Sequence, residues 1–164
     1  MQQARIALLQ GMPIFGGIRE DILSFLLDLS PVVLVRKDDL FFRENDQASS
    51  MFVLEEGKVA VVRSWHGQEC LLRHLDKGDC FGEMALMDLG PRSASVRAVE
   101  DCRAIELSAA SLHRVYEKDL EQFTLIEMNM GREVCRRLRE SDERLFRVRM
   151  EAPDLGVDYV FRAT

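Results

Sequence analysis

The sequence predicts an α+β fold in which an antiparallel, jelly-roll-like β-roll is flanked by N-terminal helices and a long C-terminal helix. Between residues 31 and 107, short apolar runs alternate with tight turn signals and no long helical pattern intervenes, which is typical of an antiparallel sandwich or barrel. On both sides of this region the apolar residues recur every three or four positions, which is the period of an amphipathic helix. With 164 residues, 47% of them hydrophobic, the chain is long enough to bury the core of one domain.

The helical pattern occupies both ends of the chain. We expect helices over residues 2–10, 18–28 and 109–117, the last with Ser108 as its N-cap. A longer helix is expected over 119–148, because an apolar stripe at helical spacing runs through it. The stripe consists of Phe123, Ile126, Met130, Val134, Leu138, Leu145 and Val148.

Seven strands are expected between these helices, each rich in β-branched or aromatic residues and bounded by a turn signal. They are Val32–Val35, Leu40–Arg43, Ser50–Leu54, Lys58–Ser64, Cys70–Leu75, Ser95–Val99 and Arg103–Leu107. The predicted elements divide the chain into N-terminal helices (1–30), the β-roll (31–107), C-terminal helices (108–149) and a tail (150–164).

The composition argues against several classes of protein. The chain carries 22 Lys and Arg against 28 Asp and Glu, a formal net charge of -6, so it lacks the positive field expected of a nucleic-acid-binding domain. No apolar run approaches the roughly 18 residues that span a bilayer, and the apolar stretch near the N-terminus is too short for a secretory signal. We therefore expect a cytoplasmic protein that binds neither nucleic acid nor a membrane.

Neither a metal site nor a catalytic site is indicated. The four cysteines contain no CxxC pair, so buried free thiols are expected at Cys70, Cys80, Cys102 and Cys135. The three histidines show no spacing typical of a Ser/His/Asp or Cys/His arrangement. We expect a protein without a metal ion and without enzymatic activity.

One segment, residues 80–98, differs from the strands around it, and its residues suit an anion. Gly82 allows the backbone to approach a ligand closely. A single helical turn over 83–87 would expose its first N–H groups, and such a helix start favours anions. The Gly90-Pro91 turn presents Arg92, whose planar guanidinium matches two phosphate oxygens.

Glu83 adds a second requirement. A phosphate repels a carboxylate, so a carboxylate in this segment indicates a neutral donor such as a sugar hydroxyl. A phosphate beside a free hydroxyl describes a nucleotide with an unmodified ribose 2′-OH. The alternative interpretation is a surface ion pair between Glu83 and Arg92, which contributes little to stability and explains neither Gly82 nor the turn before Arg92.

The same segment resembles the phosphate-binding cassette of the cyclic nucleotide-binding domain family, which includes bacterial catabolite activators and regulatory subunits of cyclic-AMP-dependent protein kinase. The matching residues are Phe81-Gly82-Glu83-Met84-Ala85-Leu86 and Pro91-Arg92-Ser93-Ala94-Ser95-Val96-Arg97-Ala98. The resemblance extends over roughly residues 10–148 and implies the helices, β-roll and long C-terminal helix of that family.

The resemblance implies a role for each matching residue. Arg92 is expected to bind the exocyclic phosphate oxygens of a 3′,5′-cyclic nucleotide, and Glu83 to accept a hydrogen bond from the ribose 2′-OH. Backbone N–H groups of residues 83–85 and 93–94 are expected to complete the anion site. The predicted binding residues are Gly82, Glu83, Met84, Ala85, Arg92, Ser93, Ala94, Arg137 and Ser141.

For the base, the resemblance implies a hydroxyl on the long helix, shortly after an Arg-Arg-Leu segment. Here Arg136-Arg137-Leu138 precedes Ser141, so Ser141 is the candidate base contact and Arg137 a second candidate. One position of the apolar stripe is polar, at Ser141 or Asp142, and this independently supports the assignment.

These observations predict a sensor that binds cyclic AMP in preference to cyclic GMP and changes conformation when the ligand binds. The long apolar stripe predicts a homodimer through the C-terminal helix. The signal is expected to pass to an effector protein, which the sequence does not identify.

Two alternatives to this sensor stay open. The first is a ligand-independent scaffold that uses the β-roll for protein binding. The second is a truncated transcription regulator of the cyclic-AMP-receptor type. Only residues 149–164 follow the long helix, fewer than the about 20 that a helix-turn-helix needs, so we expect no DNA-binding domain.

Overall fold

The computed structural model describes residues 2–151, and within them the predicted order of helices and strands is present. The α-helices are α1 (Gln2–Gln10), α2 (Glu20–Asp28), α3 (Met84–Met87), α4 (Ala109–Lys118) and α5 (Leu120–Glu151), with a 3₁₀ turn at Pro13–Phe15. The strands are β1 (Val32–Val35), β2 (Leu40–Phe42), β3 (Ser50–Glu56), β4 (Val59–Trp65), β5 (Gln68–Leu75), β6 (Cys80–Phe81), β7 (Ser95–Ala98) and β8 (Cys102–Ser108).

Two four-stranded antiparallel sheets form the β-roll, in the orders β1-β8-β3-β6 and β2-β7-β4-β5. Apolar side chains from both sheets pack against each other between them: Phe52, Leu54, Val59, Leu75, Phe81, Val96, Ala98, Cys102 and Ala104. The fold class predicted from the sequence is therefore confirmed. The concave face of the second sheet forms one wall of the cavity described below.

A second core lies on the other face of the first sheet. There α1, α2, α4, the 3₁₀ turn and the first half of α5 pack against inward residues of β3 and β8. Buried polar side chains fix α5 in this layer. The Asn129 amide donates to the carbonyls of Ile14 (3.4 Å) and Gly16 (2.9 Å), and Gln122 accepts from the Arg19 backbone N–H at 2.8 Å.

The second half of α5 leaves this core, so the predicted apolar stripe has two parts. Ile126 and Met130 are buried, whereas Leu138, Leu145 and Val148 are at least half exposed. The spacing alone could not separate these parts, because both follow the same helical period. The first half of α5 is therefore a core helix, and its second half presents apolar side chains to solvent.

The structure corrects several predicted boundaries. Helix α2 begins at Glu20 and not at residue 18, because Arg19 is extended at ψ 149. The 3₁₀ turn and the two-residue strand β6 are not among the predicted elements, because both are too short to show a period. Helix α5 continues to Glu151, so the predicted tail begins as helix, and the rest of it, 152–164, lies outside the described residues.

The cysteines are free thiols, as expected, but only two of them are buried. Cys80 and Cys102 lie in the core, whereas Cys70 and Cys135 are exposed. Cys70 is on the solvent-facing part of β5, and Cys135 is on the exposed side of α5. Within residues 2–151 there is no cluster of His, Cys, Asp and Glu that could hold a metal ion, and no helix that could cross a membrane.

The structure confirms Ser108 as the N-cap of α4, and replacing it should lower stability. Its side chain accepts a hydrogen bond from the Ser111 backbone N–H at 3.0 Å. We expect Ser108→Ala to reduce the free energy of unfolding by about 1 kcal/mol, measured by urea denaturation. The control is Ser64→Ala, an exposed serine. Equal stability of the two variants would contradict the capping role.

Candidate functional site

A cavity of about 390 Å³ lies between the second sheet, the cassette segment and the second half of α5. A volume of this size suits a small-molecule ligand. All nine predicted binding residues line it: residues 82–85, residues 92–94, Arg137 and Ser141. The structure therefore brings together residues that are up to 59 positions apart in the sequence.

Arg92 is buried at the inner end of this cavity. Two backbone hydrogen bonds hold its main chain against the loop after β2: its N–H donates to the Asp46 carbonyl (2.9 Å), and its carbonyl accepts from the Asn45 N–H (2.8 Å). The guanidinium carbon lies 3.9 Å from the centre of the Phe42 ring, which is a cation–π contact. These contacts fix the side chain in one position.

The Arg92 guanidinium lacks a direct carboxylate partner within residues 2–151. Nη1 donates to the Gly82 carbonyl (3.1 Å) and Nη2 to the Ser50 hydroxyl (3.5 Å). Nε is buried without any hydrogen-bond partner in the same part of the chain. A buried donor without an acceptor is costly, so this arrangement indicates an anionic ligand.

Burial lowers the pKa of the Arg92 guanidinium, although the charges of Glu106, Asp46 and Glu83 act in the opposite direction. The residue as a whole is only 5% exposed. The alternative interpretation, an ion pair between Glu83 and Arg92, is wrong, because Glu83 pairs with Arg137 instead. A bound phosphate would supply the counter-charge that the protein does not place on Arg92.

Position 82 requires glycine for two reasons, its backbone conformation and the lack of space for a side chain. Its φ is +82°, in the left-handed region that glycine adopts at no steric cost. A Cβ atom at this position would lie 2.5 Å from Arg92 Nη1, which is closer than real atoms approach. Any larger residue would therefore displace the guanidinium.

Glu83 is the second buried charge in the cavity, with only 2% of the residue exposed. It stands at the start of α3, and its carbonyl accepts from the N–H groups of Leu86 and Met87. Its Oε1 atom accepts a hydrogen bond from Arg137 Nη1 at 2.9 Å. Its Oε2 atom makes no hydrogen bond with any residue of 2–151, which leaves one carboxylate oxygen able to accept from a ligand hydroxyl.

Arg137 joins α5 to the cassette. Its Nη2 donates to the Cys80 carbonyl (2.8 Å), its Nη1 to Glu83 and its Nε to Glu133 (2.8 Å). Burial opposes its charge, but the negative charge of Glu83 and the other nearby groups outweigh this and raise the pKa of Arg137. Because these bonds occupy three of its nitrogens, Arg137 is suited to positioning Glu83 more than to contacting a base.

Cys80 takes part in this cluster as a neutral group. Burial and the charge of Glu83 raise the pKa of the Cys80 thiol to about 12. Since the thiolate is the reactive form, Cys80 is inert at neutral pH and contributes its backbone carbonyl to Arg137.

Three of the remaining predicted residues, Met84, Ser93 and Ser141, are exposed and lie towards the mouth of the cavity, whereas Ala85 and Ala94 are buried. The Ser141 hydroxyl donates to the Arg137 carbonyl at 3.0 Å, so its oxygen keeps lone pairs that can accept from a ligand. Ser93 and Met84 are exposed and contact each other, with Oγ 3.8 Å from Sδ. The backbone N–H groups of residues 84–85 and 93–94 donate to no acceptor in the described part of the chain and can bind an anion.

The cavity is also lined by residues that were not predicted from the sequence, among them Phe42, Val61, Leu72 and Arg73. Three of these four come from β4 and β5, where alternation of side chains could have shown which ones face inward. The β-bulge between Val61 and Val62 interrupts that alternation and hides it in the sequence.

Comparison with known proteins adds an independent line of evidence. A family model described as "Cyclic nucleotide-binding domain" matches residues 32–119. The cyclic AMP receptor protein of Thermus thermophilus is 32% identical over 135 residues, which cover 82% of this chain and 61% of that protein. The human cGMP-dependent protein kinase 2 is 37% identical over 95 residues, 57% of this chain and 12% of the kinase.

Solved structures agree with these sequence matches. The catabolite activator protein of Thermus thermophilus superposes with a TM-score of 0.73 at 31% identity, over 83% of this chain and 62% of that one. A cyclic nucleotide-binding domain from Methylobacillus flagellatus superposes with a TM-score of 0.79 over 88% of this chain and 82% of that one. At 19% identity, the second match supports the fold alone.

The role of Arg137 as a partner of buried Glu83 predicts a stability effect. Arg137→Met leaves the Glu83 carboxylate buried without a counter-charge, and we expect it to lower the free energy of unfolding by about 3 kcal/mol. The double variant Glu83→Gln with Arg137→Met removes both charges and should recover part of that loss. Urea denaturation at pH 7 measures both. Parent-like stability of Arg137→Met would contradict the proposed pairing.

Proposed function

Because the chain belongs to the cyclic nucleotide-binding domain family, we propose that it is a non-enzymatic sensor that binds a 3′,5′-cyclic purine mononucleotide in the cavity beside Arg92. The observation that carries the proposal is the buried guanidinium of Arg92, whose Nε has no partner among residues 2–151. Free backbone N–H groups and a buried carboxylate lie in the same cavity. Neither a nucleic acid nor a membrane is part of the proposal.

The phosphate is proposed to bind at the inner end of the cavity. A cyclic phosphodiester carries one negative charge and two exocyclic oxygens, which match the two free edges of a guanidinium and a row of amide donors. Arg92 would donate from Nε and from one terminal nitrogen, while the N–H groups of residues 84–85 and 93–94 complete the contact. The missing carboxylate at Arg92 supports this assignment.

The ribose is proposed to bind through Glu83. The Oε2 atom of Glu83 is the unoccupied acceptor. A ribose 2′-OH is a neutral donor, so the carboxylate can accept a hydrogen bond from it. Arg137 would hold the carboxylate in place during binding, because its bond to Oε1 does not use the ligand-facing oxygen. A 2′-deoxy nucleotide would leave that oxygen unpaired.

We propose cyclic AMP in preference to cyclic GMP. The hydrogen of the Ser141 hydroxyl is donated to the Arg137 carbonyl, so Ser141 offers a hydrogen-bond acceptor to the base. Adenine carries a donor at position 6, its exocyclic amine, whereas guanine carries an acceptor there, O6. Ser141 therefore suits adenine better than guanine.

Signalling is proposed to use the position of α5. The second half of this helix lines the cavity through Arg137 and contacts β5 through Arg144, whose Nη1 donates to the Leu72 carbonyl at 3.3 Å. A ligand that touches both the cassette and Ser141 would favour the arrangement in which they are close. The ligand would shift the equilibrium between this arrangement and the open one only as far as its affinities for the two arrangements differ.

We also propose a cytoplasmic homodimer that assembles through α5 and passes the signal to an effector protein. The exposed side of α5 carries Met128, Cys135, Leu138 and Leu145, and their positions follow the spacing of helix pairs in coiled coils. With Gly131 between Met128 and Cys135, the intervals from Met128 to Leu138 are three, four and three residues, and Leu145 follows seven residues later. An exposed apolar row of this kind is typical of an interface.

Replacing Arg92 tests the proposed function directly. Arg92→Ala removes about two charge-assisted hydrogen bonds of roughly 1.5–3 kcal/mol each, so affinity for cyclic AMP should fall by about 10²- to 10⁴-fold, measured by isothermal titration calorimetry. The control is Arg114→Ala, since Arg114 is exposed and pairs with Glu117 on α4. If Arg92→Ala titrates like the parent, the assignment of the phosphate to Arg92 is wrong. If the parent binds no cyclic nucleotide, the alternative of a ligand-independent scaffold replaces the sensor.

Replacing Ser141 tests the choice of base. Ser141→Ala removes one neutral hydrogen bond of about 1 kcal/mol, so the ratio of cyclic AMP to cyclic GMP affinity should fall by about fivefold. Parallel titrations of both nucleotides into the parent and the variant give this ratio. A ratio that does not change would remove Ser141 from the base contact and leave the phosphate assignment intact.

A further inference from the structure

The flat face of the Arg92 guanidinium lies on an aromatic ring. Its central carbon is 3.9 Å from the centre of the Phe42 ring and 5.8 Å from the centre of the Phe52 ring, and both distances are within the range of cation–π attraction. A Cβ atom at Gly82 would lie 2.5 Å from Arg92 Nη1 and 3.4 Å from Cε1 of Phe42. The guanidinium and the Phe42 ring therefore both lie against the Gly82 backbone, with no space for a further side chain.

A β-bulge directs Phe42 into this position. The pairing of β2 with β7 shifts register between Leu40 and Phe42. Consecutive residues of a regular strand point to opposite faces of the sheet, yet Phe41 and Phe42 both pack against the core between the two sheets. Bulges of this kind redirect a side chain and are frequent beside active sites. The bulge in β2 therefore allows Phe42 to reach Arg92 while Phe41 fills the core.

Three other rings hold the Phe42 ring in place. Phe41, Phe42, Phe52 and Phe81 form a cluster in which the centres of contacting rings are 5.0 to 6.1 Å apart, the range of offset-stacked and edge-to-face pairs. Phe52 and Phe81 are buried, whereas Phe42 is half-buried and lines the cavity. The cluster gives Arg92 a fixed apolar surface on the wall of the cavity.

An aromatic ring stabilises the cation without occupying its hydrogen-bond donors. Cation–π attraction acts on the flat face of a guanidinium, whereas its N–H groups lie in the plane. A carboxylate in place of Phe42 would accept from two of these N–H groups and would compete with a phosphate for them. With the ring there instead, Arg92 Nε remains without a partner among residues 2–151. The guanidinium is thus held by its face and keeps a free edge.

We propose that Phe42 is a positioning residue that holds the Arg92 guanidinium by its flat face, so that the Nε edge is directed at the phosphate of the ligand. This inference rests on the proposed function. An arginine without such a support would have to be ordered when the ligand binds, and ordering a long side chain reduces affinity. Phe42 orders Arg92 in advance and therefore raises affinity through Arg92.

Phe42→Leu tests this role because it keeps an apolar side chain and removes the ring. We expect the variant to bind cyclic AMP about five- to 10-fold more weakly by isothermal titration calorimetry, since Arg92 must then be ordered on binding. The matched control is Phe41→Leu. Phe41 is the adjacent residue, is also half-buried and belongs to the same cluster, but it neither stacks on Arg92 nor lines the cavity.

The control variant separates positioning from packing. Phe41→Leu should lose stability to urea as Phe42→Leu does, because both remove a ring from the same cluster, but its affinity for cyclic AMP should stay within about twofold of the parent. An equal loss of affinity in the two variants would show that any loosening of the cluster weakens binding, and this result would overturn the inference.

A pentafluorophenyl ring at position 42 tests the electrostatic contact itself. Five fluorines reverse the charge distribution of the ring, so its face repels a cation instead of attracting it, while the side chain stays flat and apolar. We expect affinity for cyclic AMP to fall at least as far as in Phe42→Leu, and the same ring at position 41 to have little effect. Parent-like affinity with the fluorinated ring at position 42 would show that Phe42 acts by packing alone.

A double-mutant cycle measures the contact in the absence of ligand. Urea denaturation of Phe42→Leu, Arg92→Met and the double variant should give a coupling of about fivefold in the folding equilibrium constant. The corresponding cycle with Phe41→Leu should give no coupling. Equal coupling of Arg92 to both phenylalanines would contradict a specific contact with Phe42.

The possible failures are distinguishable. A parent chain that binds cyclic AMP, with Phe42→Leu and the fluorinated variant binding as tightly, overturns the role of Phe42 and leaves the proposed function standing. A parent chain that binds no cyclic nucleotide overturns the proposed function, and the role of Phe42 in binding fails with it.

Discussion

The burial of a guanidinium without a carboxylate partner is the constraint on which the site depends. Arg92 lies against Phe42, donates to the Gly82 carbonyl and keeps Nε unpaired among residues 2–151. Removing a charge from water is costly unless a counter-charge replaces the lost solvation. This cost arises at Arg92, where Gly82 leaves space for the guanidinium. Free backbone amides nearby also favour an anion.

Helix α5 connects this site to the rest of the molecule because its two halves have different surroundings. Its first half is buried among the N-terminal helices and held there by Asn129 and Gln122. Its second half contacts the cavity through Arg137, which bridges Glu83 and Glu133. A change at the cassette can therefore reach α5 through one ion-pair cluster. The exposed apolar residues of α5 that follow this cluster form a surface for a partner protein.

Local features of the fold and site could be predicted from the sequence, and features set by packing could not. Ser108 and the glycine, glutamate and arginine of the cassette stand in short motifs whose chemistry is evident from neighbouring residues. The role of Arg137 and the place of Arg73 in the cavity wall depend on which elements meet in space. The β4–β5 bulge hides the inward alternation around Arg73, and the helical period cannot tell the buried Met130 from the exposed Leu145.

The most direct test of the account is a crystal structure of the chain grown with cyclic AMP. We expect an exocyclic phosphate oxygen within hydrogen-bond distance of Arg92 Nε, with the ribose 2′-OH on the free oxygen of Glu83. A cyclic nucleotide bound elsewhere, or a cavity that stays empty at saturating ligand while Arg92 keeps its present contacts, would contradict it.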